Sequence, residues 1–369
     1  MTIAHPQTQR AIVGVEGGGL ALVENANVPA LEEDMVLVKN AAIAVNPVDA
    51  KMSAPNLVTA GALAGHDFAG TVAAIGAKTW TAAPIKIGDR VCGAVQHNLP
   101  RKGLNPLAPD VGAYAEYVGA SDVAVIKVPE SMSLEEAASL GTGIGTMGMA
   151  LFHTLQVPGY PTKPAATPKV VLVYGGSTAS GTMAIQLLKL SGLLPIATCS
   201  PSNFDLVKSY GAVQCFDYRS ESCIDDIKKL TKNALKYVID CVSEPDTMEF
   251  CYKCIGRTGG KLATLEPPPK YLNARERTVT VDWVLGPALH GKPIGWPPPM
   301  ERDGNPELRE FAKRWFTTVQ ELLDQGKLKT HPLKVMDGGL SAVTDGLQML
   351  KKKLISGQKL VYPVVETHE

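Results

Sequence analysis

Neither sign of charge is in excess: 36 Lys and Arg face 36 Asp and Glu. No long-range field gathers phosphates or anionic lipid, so neither nucleic acid nor a membrane surface is expected as a partner. Long apolar runs are missing too. No stretch approaches the roughly 20 apolar residues of a membrane span, and the opening MTIAHPQTQR has no apolar signal core. A cytoplasmic location is the expectation. Cysteine is sparse and irregular. Seven residues, at 92, 199, 215, 223, 241, 251 and 254, make an odd number with no repeating frame, which excludes a complete disulfide scaffold and fits reduced thiols. Cys251 and Cys254 form an isolated C-x-x-C. They are read as small buried apolar residues on a helix before Gly256, not as a redox or metal motif.

What is present is a chain of 369 residues, 45% hydrophobic and 20% charged, long enough to bury a sizeable core in two domains. From Arg10 to about Pro129, short β runs alternate with Gly, Pro, Asn and Asp (AIVGVEG, MVLVKNAAIAV, FAGTVAAIG, RVCGAV, AYAEYVGA, VAVIKVP), the pattern of a compact all-β domain. Ser133-x-x-Glu136 is a capping-box pattern, and the apolar positions after it predict one long helix over 133–155 despite its glycines. A Pro-rich linker at 157–169 follows. Strand and helix then alternate from VVLVYGG to GKLATLE, which specifies a doubly wound parallel sheet. After Leu265 a Pro-rich stretch at 267–299 is placed over the edge of that sheet, since proline cannot extend a ladder, and a monomer is expected. The segments HPLKV, AVTDGLQMLKKKLISG and KLVYPVV are expected to return to the first domain.

The chemistry is concentrated where strand Val170–Val173 turns through Tyr174-Gly175-Gly176-Ser177-Thr178-Ala179-Ser180-Gly181 into a helix. Glycines let the backbone approach a pyrophosphate, and the helix N-terminus turns N–H groups and partial positive charge towards it. Within a repeated β–α pattern the signal is specific for a dinucleotide. NAD enzymes carry an acidic residue at the end of the second strand. Here that strand ends Thr198-Cys199-Ser200-Pro201-Ser202-Asn203, and its hydroxyls and amide suit a 2′-phosphate. NADPH is the expected cofactor. Tyr218, at the end of the third strand, is placed against the adenine or that phosphate.

The segments AIAVNPVDAK (42–51), GHDFAGTVAAIG (65–76), GDRVCG (88–93), GAYAEYV (112–118) and YGGSTASGTMAIQLLKLSG resemble the medium-chain dehydrogenase/reductase superfamily across nearly the whole chain. More narrowly, the stretch from STASGTMAIQ to SYGA and TVDWVLGP resemble the fungal trans-acting enoyl reductases. These serve highly reducing polyketide synthases and polyketide synthase–peptide synthetase hybrids. The resemblance implies an α/β fold: a GroES-like β-barrel catalytic domain (1–160, completed by about 310–369) and a Rossmann NADPH-binding domain (161–309). Zinc relatives place a cysteine where this chain has NPVD and a Gly-His-Glu where it has Gly65-His66-Asp67. They also carry four cysteines near 95–112, where this chain has none. No metal site is expected, and His66 is read as a hydrogen-bonding core residue.

The implied reaction is conjugate reduction of an enoyl thioester on an acyl carrier protein, with hydride to the β-carbon and a proton to the α-carbon. The protein must hold donor and acceptor at about 3–3.5 Å. The resemblance puts Val48, Asp49, Ala50 and Lys51 beside the nicotinamide ribose. Lys51 is the candidate catalytic group, bonding ribose or thioester oxygen and relaying the α-proton. Leu265 and Glu266 are implied against the nicotinamide, although Glu266 stands where an amide is expected. Residues 357–361 (GQKLV) are implied to return to the cofactor. The implied acyl pocket comprises Thr146, Met147, Gly148, Met149, Ala150, Leu151, Phe152 and His153, with Gly286, Pro287, Ala288, Leu289 and His290. Its small residues leave a channel and its methionines give an adaptable wall. The same cofactor motifs would serve a free-standing quinone or enone reductase, or a non-catalytic NADPH-binding partner of a synthase.

Overall fold

The computed structural model describes residues 5–54, 57–95, 111–272, 275–296 and 298–364. The chain divides into two compact units, one made of residues up to Gly145 together with those from Pro287 onward, the other of Thr146–Gly286.

The first unit begins with β1 (Thr8–Gly14), β2 (Leu20–Asn27), β3 (Met35–Ala44), α1 (Pro47–Met52), β4 (Asp67–Ile75), β5 (Arg90–Ala94), β6 (Tyr117–Ser121) and β7 (Val125–Lys127). Then come α2 (Leu134–Ala138) and α3 (Gly141–Gly148), with the unit boundary inside α3. The second unit holds β8 (Val170–Tyr174), α4 (Ala179–Leu190), β9 (Leu194–Thr198), α5 (Phe204–Ser209), β10 (Gln214–Phe216), α6 (Cys223–Leu230), β11 (Tyr237–Asp240), α7 (Pro245–Cys254), β12 (Gly260–Thr264) and β13 (Val279–Trp283). The chain then re-enters the first unit with α8 (Pro306–Asp324), β14 (Leu333–Val335), α9 (Val343–Lys351) and β15 (Lys359–Pro363).

In the first unit β3 is the organising strand. Its end, Ala42–Ala44, pairs antiparallel with β15, and its beginning, Met35–Lys39, pairs with β6. Along its length it also pairs with β4, through two register shifts. Such irregularities bend a strand and sharpen its twist, so one strand can change partners around a curved sheet. Asn40 lies at the second shift, and its buried amide donates to the carbonyls of Ala113 (2.8 Å) and Ala115 (3.0 Å). Ile43, Phe68, Tyr114, Val118, Leu360 and Tyr362 pack the core inside.

The six strands of the second unit run in the order β10-β9-β8-β11-β12-β13, all parallel. Buried β-branched residues drive the central strands: Val171, Val173, Ile196, Val238 and Ile239 have no exposure. Strand order reverses direction at β8, and ligands of such sheets bind beyond the strand ends at that point.

Two expectations change. The single helix over 133–155 is instead α2, α3 and a π-helical turn at Met149–Thr154. Ser133 and Glu136 do form the capping box (2.8 and 3.1 Å), but α2 stops after one turn. A side chain at Gly141 would run into the Gly93 carbonyl, and four glycines between 141 and 148 weaken helical continuity. The stretch after Leu265 does not simply cover the sheet edge with proline. It adds β13, parallel to β12 over five residue pairs. The fold class itself stands as read, and no described helix is long and apolar enough to cross a membrane.

Candidate active site

The turn between β8 and α4 is shaped by glycines and held by two threonine hydroxyls. Gly175 has φ +76°, a conformation that costs glycine little. A Cβ on Gly176 would lie 2.7 Å from Ala197 Cβ, and one on Gly181 would overlap the Gly175 carbonyl oxygen and come within 2.8 Å of Gly176 Cα. The helix start therefore sits directly on the turn. Thr178 is the N-cap: its hydroxyl accepts from Gly181 N–H (2.9 Å) and donates to the Gly175 carbonyl (2.8 Å). The end of β9 holds the other side, with Thr198 bonded to Gly175 and Gly176 N–H. A tight glycine turn leading directly into a helix N-terminus fits a dinucleotide pyrophosphate.

Around it, Ser177 to Ser180 are half-buried and Ser200 to Asn203 lie in a turn just past β9, with Pro201 and Ser202 exposed. Tyr218 lies two residues past β10, 40% exposed, its ring 6.1 Å from that of Tyr174. The Arg219 guanidinium is 5.6 Å from the Tyr218 ring centre and pairs with Asp217 (3.0 Å). Leu265 and Glu266 follow β12. Leu265 N–H donates to the Ser243 hydroxyl (2.7 Å), and the Glu266 carbonyl accepts from Thr264 (2.7 Å).

Ser243 was not foreseen. It has φ +60° and joins the ends of β11 and β12. Its N–H and that of Val242 both donate to Asp240 (2.9 Å each). Burial raises the Asp240 pKa, opposed by these bonds and by Thr247 Oγ1 (2.6 Å). The sequence signal was a carboxylate ending an otherwise apolar strand.

In the first unit Val48 to Lys51 lie on α1, with Asp49 and Ala50 buried and Lys51 exposed. Asp49 is held from three sides, by Asn46 N–H (2.7 Å), the Tyr114 hydroxyl (2.7 Å) and His66 Nδ1 (2.5 Å). Burial and the facing carboxylate push the Tyr114 phenol well up, so it remains a donor. The two motifs NPVD and GHD thus meet through Asp49 and His66, and His66 is the hydrogen-bonded core residue its sequence context implies. Beside them, Asp67 accepts from Lys359 (2.6 Å), Asn46 (3.0 Å) and both the N–H (2.6 Å) and hydroxyl (2.5 Å) of Thr142. Asn46, Asp67, Tyr114, Thr142 and Lys359 were missed as site residues. Asp67 and Lys359 are charged residues opening otherwise largely apolar strands, DFAGTVAAI and KLVYP, and buried charges are paired. Within 357–361 it is Lys359 that turns inward, onto Asp67.

No three His, Cys, Asp or Glu side chains among the described residues form a group able to hold a metal; most of the 95–112 stretch lies outside them. Of the implied acyl-pocket residues, Met147, Ala150 and Leu151 have no exposure and Met149 has 6%. Gly148 is buried, Thr146 and Phe152 are half-buried and His153 is exposed, with Phe152 edge-on to Tyr160 (4.8 Å). Gly286 ends the second unit. Pro287 begins the return to the first, where Ala288, Leu289 and His290 are buried.

Comparison with known proteins agrees with this architecture. Residues 32–130 match the alcohol dehydrogenase GroES-like domain family, and residues 179–270 match the zinc-binding dehydrogenase family. A trans-enoyl reductase of Gibberella zeae is 60% identical, covering 97% of this chain and 98% of its own. Another from Gibberella fujikuroi is 48% identical, covering 96% and 98%. Among solved structures, the CurK enoyl reductase superposes with a TM-score of 0.75 at 17% identity, covering 96% of this chain and 99% of its own. A Pseudomonas syringae quinone oxidoreductase gives 0.71 at 23%, covering 96% and 99%. At such identities the two structures establish the fold.

Proposed function

The chain belongs to the trans-enoyl reductases of the medium-chain dehydrogenase/reductase superfamily, oxidoreductases acting on a carbon–carbon double bond, and from that premise we propose that it reduces the α,β-double bond of a carrier-bound polyketide enoyl thioester with NADPH. What carries the reading is the glycine turn between β8 and α4, packed so closely on the start of α4 that Gly176 and Gly181 have no room for a side chain, in a chain sharing 60% of its residues with a trans-enoyl reductase. The partner is the acyl carrier protein of a highly reducing polyketide synthase or synthase–peptide synthetase hybrid, met by a monomer in the cytoplasm.

When bound, NADPH supplies the hydride taken by the β-carbon. The N–H groups of Ser177, Ala179 and Ser180 would hold its pyrophosphate, while the Thr178 N–H is taken by the Gly175 carbonyl (3.0 Å). Ser200, Ser202 and Asn203 would hold the 2′-phosphate, with no carboxylate among residues 198–203 to repel it, and Tyr218 would cover the adenine or touch that phosphate. Arg219 adds a cation at that end of the sheet once its pairing with Asp217 is shared. In the first unit, Val48, Asp49 and Ala50 would serve the nicotinamide end. Lys51 holds the thioester oxygen as charge develops on it and relays the proton to the α-carbon. In the second unit, Thr146 to His153 would serve the acyl chain.

NADPH oxidation with an enoyl-pantetheine thioester, run beside a quinone, tests the substrate class. Turnover of the thioester is expected; activity on the quinone alone would replace this reading with that of a quinone reductase. Ser200→Asp should lower kcat/KM for NADPH by roughly a hundredfold and favour NADH. Lys51→Ala should lower kcat by roughly a hundredfold, and normal turnover would remove Lys51 from the mechanism.

A further inference from the structure

α1 has six residues, too few to hold a helical pose by its own hydrogen bonds. Its position is set by what grips it. At its start stands Asn46, whose amide touches both ions of a buried pair: Nδ2 donates to Asp67 (3.0 Å) and Oδ1 accepts from Lys359 Nζ (3.0 Å). Lys359 gives its remaining bonds to Asp67 (2.6 Å) and the Ser139 carbonyl (3.0 Å). The lysine is 4% exposed and Asp67 not at all. At the other end of α1, Lys351 from α9 donates to the Ser53 hydroxyl (2.9 Å), which donates to the Ala50 carbonyl (2.8 Å).

A buried ion pair is a poor stabiliser, since well-packed apolar residues of similar volume often do as well or better. What this pair supplies is direction. Asn46 touches both ions, and its own N–H is bound by Asp49 of the same helix (2.7 Å), so the orientation of the pair is transmitted to the first turn of α1.

We infer that Lys359, Asp67 and Asn46 form a positioning unit that fixes the pose of α1 and thereby of Val48 to Lys51. None of the three touches the reacting atoms in this scheme. The inference rests on the reading above that α1 faces the reaction centre.

Asn46→Ala tests it in the full chain, because it cuts the link to α1 while leaving Lys359 and Asp67 paired. Hydrogen exchange of the peptide over residues 46–54 should lose protection while peptides from β3 and β4 keep theirs. With an enoyl-pantetheine thioester, kcat per folded enzyme should fall roughly tenfold while the Kd for NADPH stays within about twofold. In a Lys51→Ala background the same substitution should add little, as expected of residues acting as one unit. Unchanged protection of α1, an unchanged kcat, or losses that multiply in the double variant would each overturn the inference. Should Asn46→Ala fail to fold, the neutral pair Lys359→Met with Asp67→Asn is read by the same three measurements. A fully active Lys51→Ala enzyme would remove Lys51's role, and the positioning unit would then be decided by exchange and by the Asn46→Ala kcat.

Discussion

In the turn between β8 and α4, the polar atoms that shape the cradle belong to the backbone, steadied by the hydroxyls of Thr178 and Thr198. In the first unit, the atoms around α1 are side chains from widely separated segments, with Lys359 lying 313 residues beyond Asn46. The first arrangement is nearly local in sequence, with only β9 added, and leaves no room for a Cβ at Gly176 and Gly181. The second is assembled by the fold and depends on every member being present. Substitutions should expose that asymmetry.

The largest effect is expected at Lys359→Met, which leaves Asp67 buried without its cation. Loss of one partner of a buried pair costs about 3–5 kcal/mol, enough to lower a thermal midpoint by about 10 °C. Calorimetry that found the midpoint unmoved would show the network to be dispensable. His331 sharpens the same side by pH. Burial first, and the nearby Lys359 charge second, lower its pKa from 6.5 to about 4. The native state thus keeps it neutral where the unfolded chain is protonated. Its contribution is present above pH 6.5 and is lost as pH falls towards 4, at full extent about 3 kcal/mol. Denaturant titrations of His331→Asn should show a flatter acid limb over that window, and an unchanged slope would contradict the assignment.

In the cradle, Gly181→Val should weaken NADPH binding by roughly thirtyfold, the cost of forcing a side chain against the turn backbone. Fluorescence titration measures it, and near-normal affinity would mean that the turn yields more easily than its contacts indicate. The smallest effect should come from Cys251 and Cys254. Both are fully buried on α7, and burial raises both thiols, Cys254 to about 12. Native protein should resist alkylation at neutral pH while unfolded protein reacts; mass spectrometry showing prompt labelling would reopen a reactive role for the pair.

The same asymmetry governs what could be read beforehand. The parallel sheet and the glycine turn from β8 into α4 were legible because each is local: a strand period, a turn, a helix start. Asp67 and Lys359 were not, because nothing near Lys359 in sequence reveals that a carboxylate faces it. Ser243 was missed for a similar reason, since its backbone conformation follows from bonds to Asp240. The helix over 133–155 was read too long because apolar spacing records a buried face but not the close approach of Gly93 to Gly141.

The re-entry of the chain into its first unit has a consequence in time. The second unit is one continuous stretch, so its sheet has all its strands once Gly286 has been made. The first sheet has to wait, because β3 lacks its β15 neighbour until Val361 to Pro363 arrive. Until then part of the β3 edge is open, a hazard for nascent chains, and Asp67 has no cation to meet. During synthesis the second unit's sheet has all its strands before Lys359 is made, whereas the network that grips α1 does not have its lysine.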